Sequence, residues 1–344
     1  MKNTTRTAFN DFKAQIAQLN GVPDASTKFA ASPAVEQTMI NKMQESSDFL
    51  RRINIMGVDN QQGEKLGLGV GSTIAGTTDT SASDRATTDP TNLDTDGYMC
   101  TQTNFDTHLT YGKLDAWAHL PDFQRKVRDQ ILQRQRLDRI MIGFNGTSRA
   151  ATSDRATNPL LQDVNKGWLQ KLREFDTGSN VMDEGGTAGE IHVGAAGDYA
   201  NLDALVFDIV NSLIDPWYRQ DTGLVAILGR GLMVDKFFPL IESHGDTPTE
   251  SNALDMMMSA KRIGGLQAVQ LPFFPDRAVA VTRLDNLSIY LQNGSTRRAI
   301  IDKPERDRIE DYQSVNEAYV IEDNGGMALA ENIKFTSDGG TTWA

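Results

Sequence analysis

Apolar positions recur with a helical period over 121–146 (PDFQRKVRDQILQRQRLDRIMIGFNG), the longest uninterrupted helical pattern in the chain. At about 100° per residue, Phe123, Val127, Ile131, Leu137, Ile140, Met141 and Phe144 share one broad face. Arg125, Arg128, Arg136 and Arg139 fall within roughly 80° of one another on the other side. Pro121 and Asp122 suit a first turn, and Gly143 and Gly146 suit a stop. A helix of about 24 residues is ~36 Å long, as long as a small domain is wide. Arg134 lies inside the apolar arc, and Asp138, one turn on, or an acidic group of another element is its expected partner.

Other elements arrange themselves around this rod. Residues 7–19 form a short amphipathic helix through Ala8, Phe9, Phe12, Ile16 and Leu19, ended by Asn20, Gly21 and Pro23. Small residues then surround Phe29, which suits either a protease-accessible link or a plain interhelix loop. Ser32 and Pro33 make an N-cap and first helical position for a helix to about Gln44. Residues 49–55 read as an extended arm outside the core, since no partner strand follows closely. In 63–70, Gly63, Leu66, Leu68 and Val70 mark a thin, glycine-rich strand. In 98–111, Phe105, Thr107, Leu109 and Tyr111 alternate with Asp106, His108 and Thr110. Two such runs flanking a long polar tip predict an extended β-hairpin. A connection that long is functional or disordered.

Beyond the rod, 160–172 reads as an amphipathic helix and 176–189 as an acidic, glycine-rich loop. A new unit opens near Tyr199. It has a helix over 202–213, strands at 224–229, 266–271, 278–284 and 287–292, and helices at 232–242 and 250–260. Asn293-Gly294 is a strong hairpin turn. It returns the chain through 296–301, followed by a long alternating strand over 308–322 and a further strand from Met327. Late strands returning towards an earlier helix predict an α+β fold with a discontinuous domain and an inserted unit over 200–292.

Composition narrows the function classes. The chain of 344 residues carries 34 basic and 46 acidic residues, net −12. The first 31 residues hold four basic side chains and two acidic ones, so the remainder is more acidic still. That balance argues against a free-standing nucleic-acid binder, although a local basic stripe is compatible with it. No run approaches the ~18 apolar residues of a membrane span, and the N-terminus lacks the apolar segment of a secretory signal. The lone Cys100 excludes an intrachain disulfide framework and fits a reducing cytoplasm.

Enzyme chemistry finds no foothold. Signatures of phosphate loops, zincins, hydrolase elbows and EF-hands are missing. The Gly-rich run 67–71 precedes a polar stretch and not the helix N-terminus that a phosphate site needs. His108, His119, His192 and His244 show no metal spacing, and Met256, Met257 and Met258 suit core or interface packing. No cofactor or metal is expected.

Several runs are similar to the major capsid proteins of P2-type tailed phages, the peduovirus family: ESSDFLRRINI (45–55), GEKLGLGV (63–70), DFQ (122–124) with GFNG (143–146), TSDRATNPLLQDVNKGWLQ (152–170), KRIGG (261–265) and LDNLSIY (284–290). The resemblance covers nearly the whole chain in order. It departs at the tip 77–97, the loop 176–190 and the C-terminal tail. It implies the Hong-Kong-97-like capsid fold, with an N-terminal segment (1–31) removed on maturation, an N-terminal arm (32–56) and an extended loop (57–112). A peripheral domain (113–199 and 293–344) would carry the spine helix, and 200–292 would be the axial domain. It further implies hexamers and pentamers of the chain in an icosahedral shell around double-stranded DNA. An internal scaffolding protein with protease activity would guide assembly in the host cytoplasm, with a portal at one vertex and no membrane. Processing would fall near Phe29 and Ala30. The hairpin, through Gly63, Leu66, Leu68, Val70, Phe105 and Leu109, would reach a neighbouring subunit. Arg125, Arg128, Arg136 and Arg139 would look towards scaffold and DNA on the inner face. The rival expectation is a cytosolic α+β enzyme, a compact monomer using its acidic loops as a cation site.

Overall fold

The computed structural model describes residues 1–45, 47–65, 69–70, 75–82, 84–87, 91–92, 97–117, 123–234, 236, 262–336 and 342–343. In chain order the first elements are α1 (Asn3–Asn20), β1 (Phe29–Ala30), α2 (Pro33–Glu45), α3 (Asp48–Arg52) and β2 (Asn54–Val58). The hairpin region follows as β3 (Gln62–Glu64), β4 (Gly69–Val70), β5 (Thr91–Asn92), β6 (Gly97–Met99), β7 (Thr101–Asn104) and β8 (Thr107–Thr110). Next come α4 (Tyr111–Trp117), the spine helix α5 (Phe123–Asn145), α6 (Trp168–Glu174), β9 (Val181–Met182), β10 (Ile191–Val193) and α7 (Leu202–Ser212). The remainder is strand-rich: β11 (Val225–Leu228), β12 (Arg262–Ile263), β13 (Leu266–Gln270), β14 (Val279–Thr282), β15 (Leu287–Gln292), β16 (Arg297–Lys303), β17 (Arg308–Ile321), β18 (Met327–Ala330) and β19 (Ile333–Phe335).

Two sheets carry the body. The first has seven strands around the 14-residue β17, which pairs antiparallel with β16, β15, β7 and β8 along its length. The second has six strands in the order β12-β13-β11-β14-β18-β9. Its central strands read as unbroken apolar runs because both faces are covered. On one face Val225, Ile227, Ala280, Met327 and Leu329 join a core with Phe144 and Trp168. On the other, Ala226, Leu228, Val279, Val281, Ala328 and Ala330 pack under Leu205, Val206 and Ile209 of α7. Asn201 caps α7 by accepting from the Ala204 amide at 2.9 Å.

Several expectations shift. Residues 49–55 are core and not an outlying arm: Phe49, Leu50, Ile53 and Ile55 are buried, and β2 pairs in parallel with β15. The partner strand lies more than two hundred residues downstream, out of reach of local pattern. The expected helix 160–172 shrinks to α6. Leu161 takes a left-handed backbone (φ 59°), and 147–163 folds back through bonds from the Thr147 and Ser148 amides to the Gln162 carbonyl (2.8 and 3.0 Å). Strands cross the expected boundary between the inserted unit and the rest. β15 belongs to the first sheet, while β18 and β9 belong to the second. Residues 230–234 and 236 are helical; the rest of the helix expected over 232–242, and that over 250–260 with Met256, Met257 and Met258, lie outside the described residues.

Gly143 does not stop the spine helix, which runs on to Asn145. A Cβ at Gly143 would sit 2.2 Å from the Trp168 ring, and one at Gly146 would sit 2.1 Å from the Asn165 carbonyl. These glycines let α5 press against the 165–168 segment. Trp168 then fills the centre, edge-on to Phe144 at 5.1 Å and to Tyr319 at 5.3 Å, donating to the Ser288 carbonyl at 3.0 Å.

Candidate assembly surfaces

The hairpin root is anchored and its outer part stands clear. β3 pairs antiparallel with β6, and β4 with β5; among the described residues neither pair joins either large sheet. A Cβ at Gly63 would lie 2.9 Å from the Tyr98 ring, so glycine lets that ring lie across the ribbon. Tyr98 in turn meets Tyr290 of the first sheet edge-on at 5.0 Å. The Cys100 amide donates to the Gln61 carbonyl (2.7 Å) and Lys65 Nζ to the Ile321 carbonyl (2.7 Å). Cys100 is buried, and burial pushes its thiol up to about 11. Residues 75–82 and 84–87 are exposed, as is Met99. Leu66 and Leu68 lie outside the described residues; Val70 pairs with Thr91.

Phe105 and Leu109, expected on the hairpin, are held by β17 of their own subunit, the Phe105 amide donating to the Gln313 carbonyl at 2.7 Å. Phe105 is buried and Leu109 sits in β8 opposite Ile309. The long β17 offers an edge that β7 and β8 zip onto, so the returning strand is captured by its own subunit. The free ribbon therefore ends near Met99, short of the 112 expected.

The spine arginines separate into two kinds. Arg125 and Arg128 are exposed and Arg136 half-buried; Arg128 pairs with Asp129 at 3.0 Å. With Lys42, Met39 and Met43 of α2 and Lys126 of α5, Arg128 and Arg136 line a groove of about 600 Å³. Arg134 pairs with Asp138 at 2.8 Å, and burial raises the Asp138 carboxyl against the pull of that guanidinium. Arg139 leaves the stripe. It is buried, bonds Glu317 at 2.8 Å and lies 4.5 Å over the Phe105 ring. Of the arc's described side chains, Val127, Ile131 and Leu137 are half-buried, and the helix is buried nearly all round towards its C-terminal end, through Gln135, Arg139, Ile140, Met141, Ile142 and Phe144. Glu317 was the missed signal: it shares one face of β17 with Val315, Tyr319 and Ile321, and a carboxylate on an apolar face demands a cation.

The N-terminal segment is docked. Phe29 is buried, and β1 pairs with β16 at Arg298 and Arg297. Glu36 of α2 accepts from the Gly294 and Thr296 amides at 3.1 and 3.2 Å, tying α2 to the Asn293-Gly294 turn.

Among the described residues no helix is long and apolar enough to cross a membrane, and no group of three His, Cys, Asp or Glu side chains is placed to hold a metal. The family model described as phage major capsid protein, P2 family, matches residues 8–333. A capsid protein of Escherichia phage P2 is 49% identical over 342 residues, covering 97% of this chain and 96% of the relative. The major capsid protein of Serratia phage KSP20 is 38% identical, covering 97% and 98%. A chain of the satellite phage P4 procapsid, solved with a size-determination protein, superposes with a TM-score of 0.82 at 46% identity, covering 98% of this chain and 99% of that one. The fold is the Hong-Kong-97-like capsid fold, and the family's role is structural and not catalytic. The chain belongs to the P2 family of phage major capsid proteins, and its place is in the capsid of a tailed phage, where it assembles with copies of itself.

Proposed function

We propose that this subunit tiles edge to edge as hexamers and pentamers into an icosahedral shell around double-stranded DNA. The hairpin tip between β3 and β6 reaches the neighbouring subunit. One observation carries this reading: beyond a root packed on the first sheet through Tyr98 and Lys65, the ribbon's described strands pair into neither large sheet, and the described residues at its tip are exposed and mostly polar. An isolated ribbon of this kind is marginal in water and gains order from a partner. Many modest contacts repeated over many copies then make a stable shell.

The finer assembly steps follow the same reading. A scaffolding protein with protease activity guides assembly in the host cytoplasm, a portal takes one vertex, and the chain is processed near Phe29 and Ala30. The cationic groove of Arg128 and Arg136, with Arg125 nearby, faces scaffold and later DNA. Replacing residues 66–96 by a short Gly-Ser linker tests the tiling claim. The variant should stay folded, with unchanged circular dichroism, yet give no shells by electron microscopy when co-expressed with scaffold. Shells of normal size from that variant would refute the reach of the hairpin.

A further inference from the structure

The segment ahead of the proposed processing point covers a surface. Ile16, Ala17, Ala25 and Phe29 form one cluster with Tyr111 of α4, Ile300 of β16 and Ile309 of β17, and Leu114 of α4 packs against it. Arg6 meets Asp302 at 3.0 Å, and Asp302 also accepts from the Tyr111 hydroxyl. The Lys2 amide donates to Asp115 of α4 at 2.9 Å. At the far end the Ile300 amide donates to the Ala25 carbonyl (2.9 Å) and the Ala31 amide to the Thr296 carbonyl (2.8 Å), so the outer edge of β16 is closed by this segment.

What is held matters as much as what holds it. α4 follows β8 directly and leads towards the spine helix, so it is the joint between the hairpin side of the first sheet and α5. Tyr111, Leu114 and Asp115, three of its seven residues, face the N-terminal segment. Ala25 and Phe29 are buried and Met1, Phe9, Phe12 and Val22 pack partly buried against the same cluster, yet the helix at its centre is held lightly. Only Thr5, Ile16 and Ala17 of α1 are buried, and the Arg6–Asp302 pair is partly exposed, a class worth about 0–1 kcal/mol. Covalent linkage supplies the rest, as an effective concentration in the millimolar range that is lost when the chain is cut.

We propose that residues 1–30 are a removable clamp. They occupy a docking surface made by β16, β17 and α4, and severing them loosens the joint between hairpin and spine helix. The timing of release in the phage rests on the processing reading above; the clamp itself does not.

A site for a specific protease inserted between Thr27 and Lys28, both exposed, lets the folded full-length chain be cut at will, freeing residues 1–27 with α1 and Ala25 while Phe29 and Ala30 stay paired to β16. At micromolar concentration the released helix should separate on gel filtration. Hydrogen exchange of the α4 amides should then accelerate by about tenfold or more, as expected for local release, with β11 and β15 unchanged. In the uncut chain, Asp302→Asn should speed the same amides by a smaller factor. Unchanged α4 exchange after the segment has left would overturn the clamp, and so would a cut segment that stays bound through gel filtration. The N-terminal mass of subunits from mature particles tests processing separately: an intact N-terminus there would sink that reading and leave the clamp standing.

Discussion

The buried pair between the spine helix and β17 gives a quantitative test of the packing. Arg139 and Glu317 side chains are 5% and 0% exposed, 2.8 Å apart. The Tyr319 hydroxyl donates to the second Glu317 oxygen at 3.2 Å, and burial raises that hydroxyl's pKa well above normal. Arg139→Met keeps most of the volume but strands a carboxylate in a dry core, which costs about 3–5 kcal/mol. Loss of the guanidinium over Phe105 adds about 0.5–2 kcal/mol. Glu317→Leu strands the cation instead and should cost about 3–5 kcal/mol. The double variant removes both charges, so its stability should return to within about 1–2 kcal/mol of the parent. The cycle therefore predicts a coupling of at least ~3 kcal/mol between the two positions. Urea unfolding of the unassembled chain, followed by tryptophan fluorescence, reads these values from midpoint shifts. An Arg139→Met variant as stable as the parent, or a double variant that loses the sum of the singles, would refute a desolvated pair.

Gly143→Ala places a methyl group 2.2 Å from the Trp168 ring; overpacking of about 1–3 kcal/mol should appear as a lower melting temperature and altered near-ultraviolet dichroism. Burial raises the Cys100 thiol to about 11, so its reactive thiolate is scarce below that pH. At pH 8 the folded chain should react with maleimide at about a thousandth of the fully ionised rate, rising about tenfold per pH unit, and denaturant should abolish the protection. Phe105→Ala should cost about 3–5 kcal/mol in the unassembled chain; an effect seen only in assembled particles would return Phe105 to the inter-subunit surface. Arg128→Glu should leave unfolding midpoints unchanged while lowering yield of DNA-filled particles, and a normal yield would count against the cationic groove.

Much of the element list was legible because period and punctuation act locally. The 3.6-residue period marked α1, α5 and α7, and the Asn293-Gly294 turn marked the step from β15 to β16. The Arg134–Asp138 pair followed from spacing along one helix. Misreadings share one cause, a partner far away in sequence. Residues 49–55 looked thin until β15 supplied their neighbour. Phe105 looked like part of a free arm until β17 captured its strand. Gly143 looked like a stop because its reason, the ring of Trp168, comes 25 residues later.

What the sequence alone determined is the order of elements, the acidic balance, the glycine-rich hairpin and the runs shared with the capsid family. Those are properties of short windows, set by side-chain period and backbone preference. The tertiary structure decided which arginines remain outside. A helix has several arginines with similar spacing, and only the body against which it docks selects one for burial. Arg139 is that one because β17 presents Glu317 opposite it, while Arg125 and Arg128 lie ahead of the docked stretch and stay in water. The tertiary structure likewise decided that the N-terminal segment is seated on α4 and β16. Whether a helix lies down on a sheet edge depends on apolar area and charges brought together from residues 6, 111 and 302, and no local window contains all three.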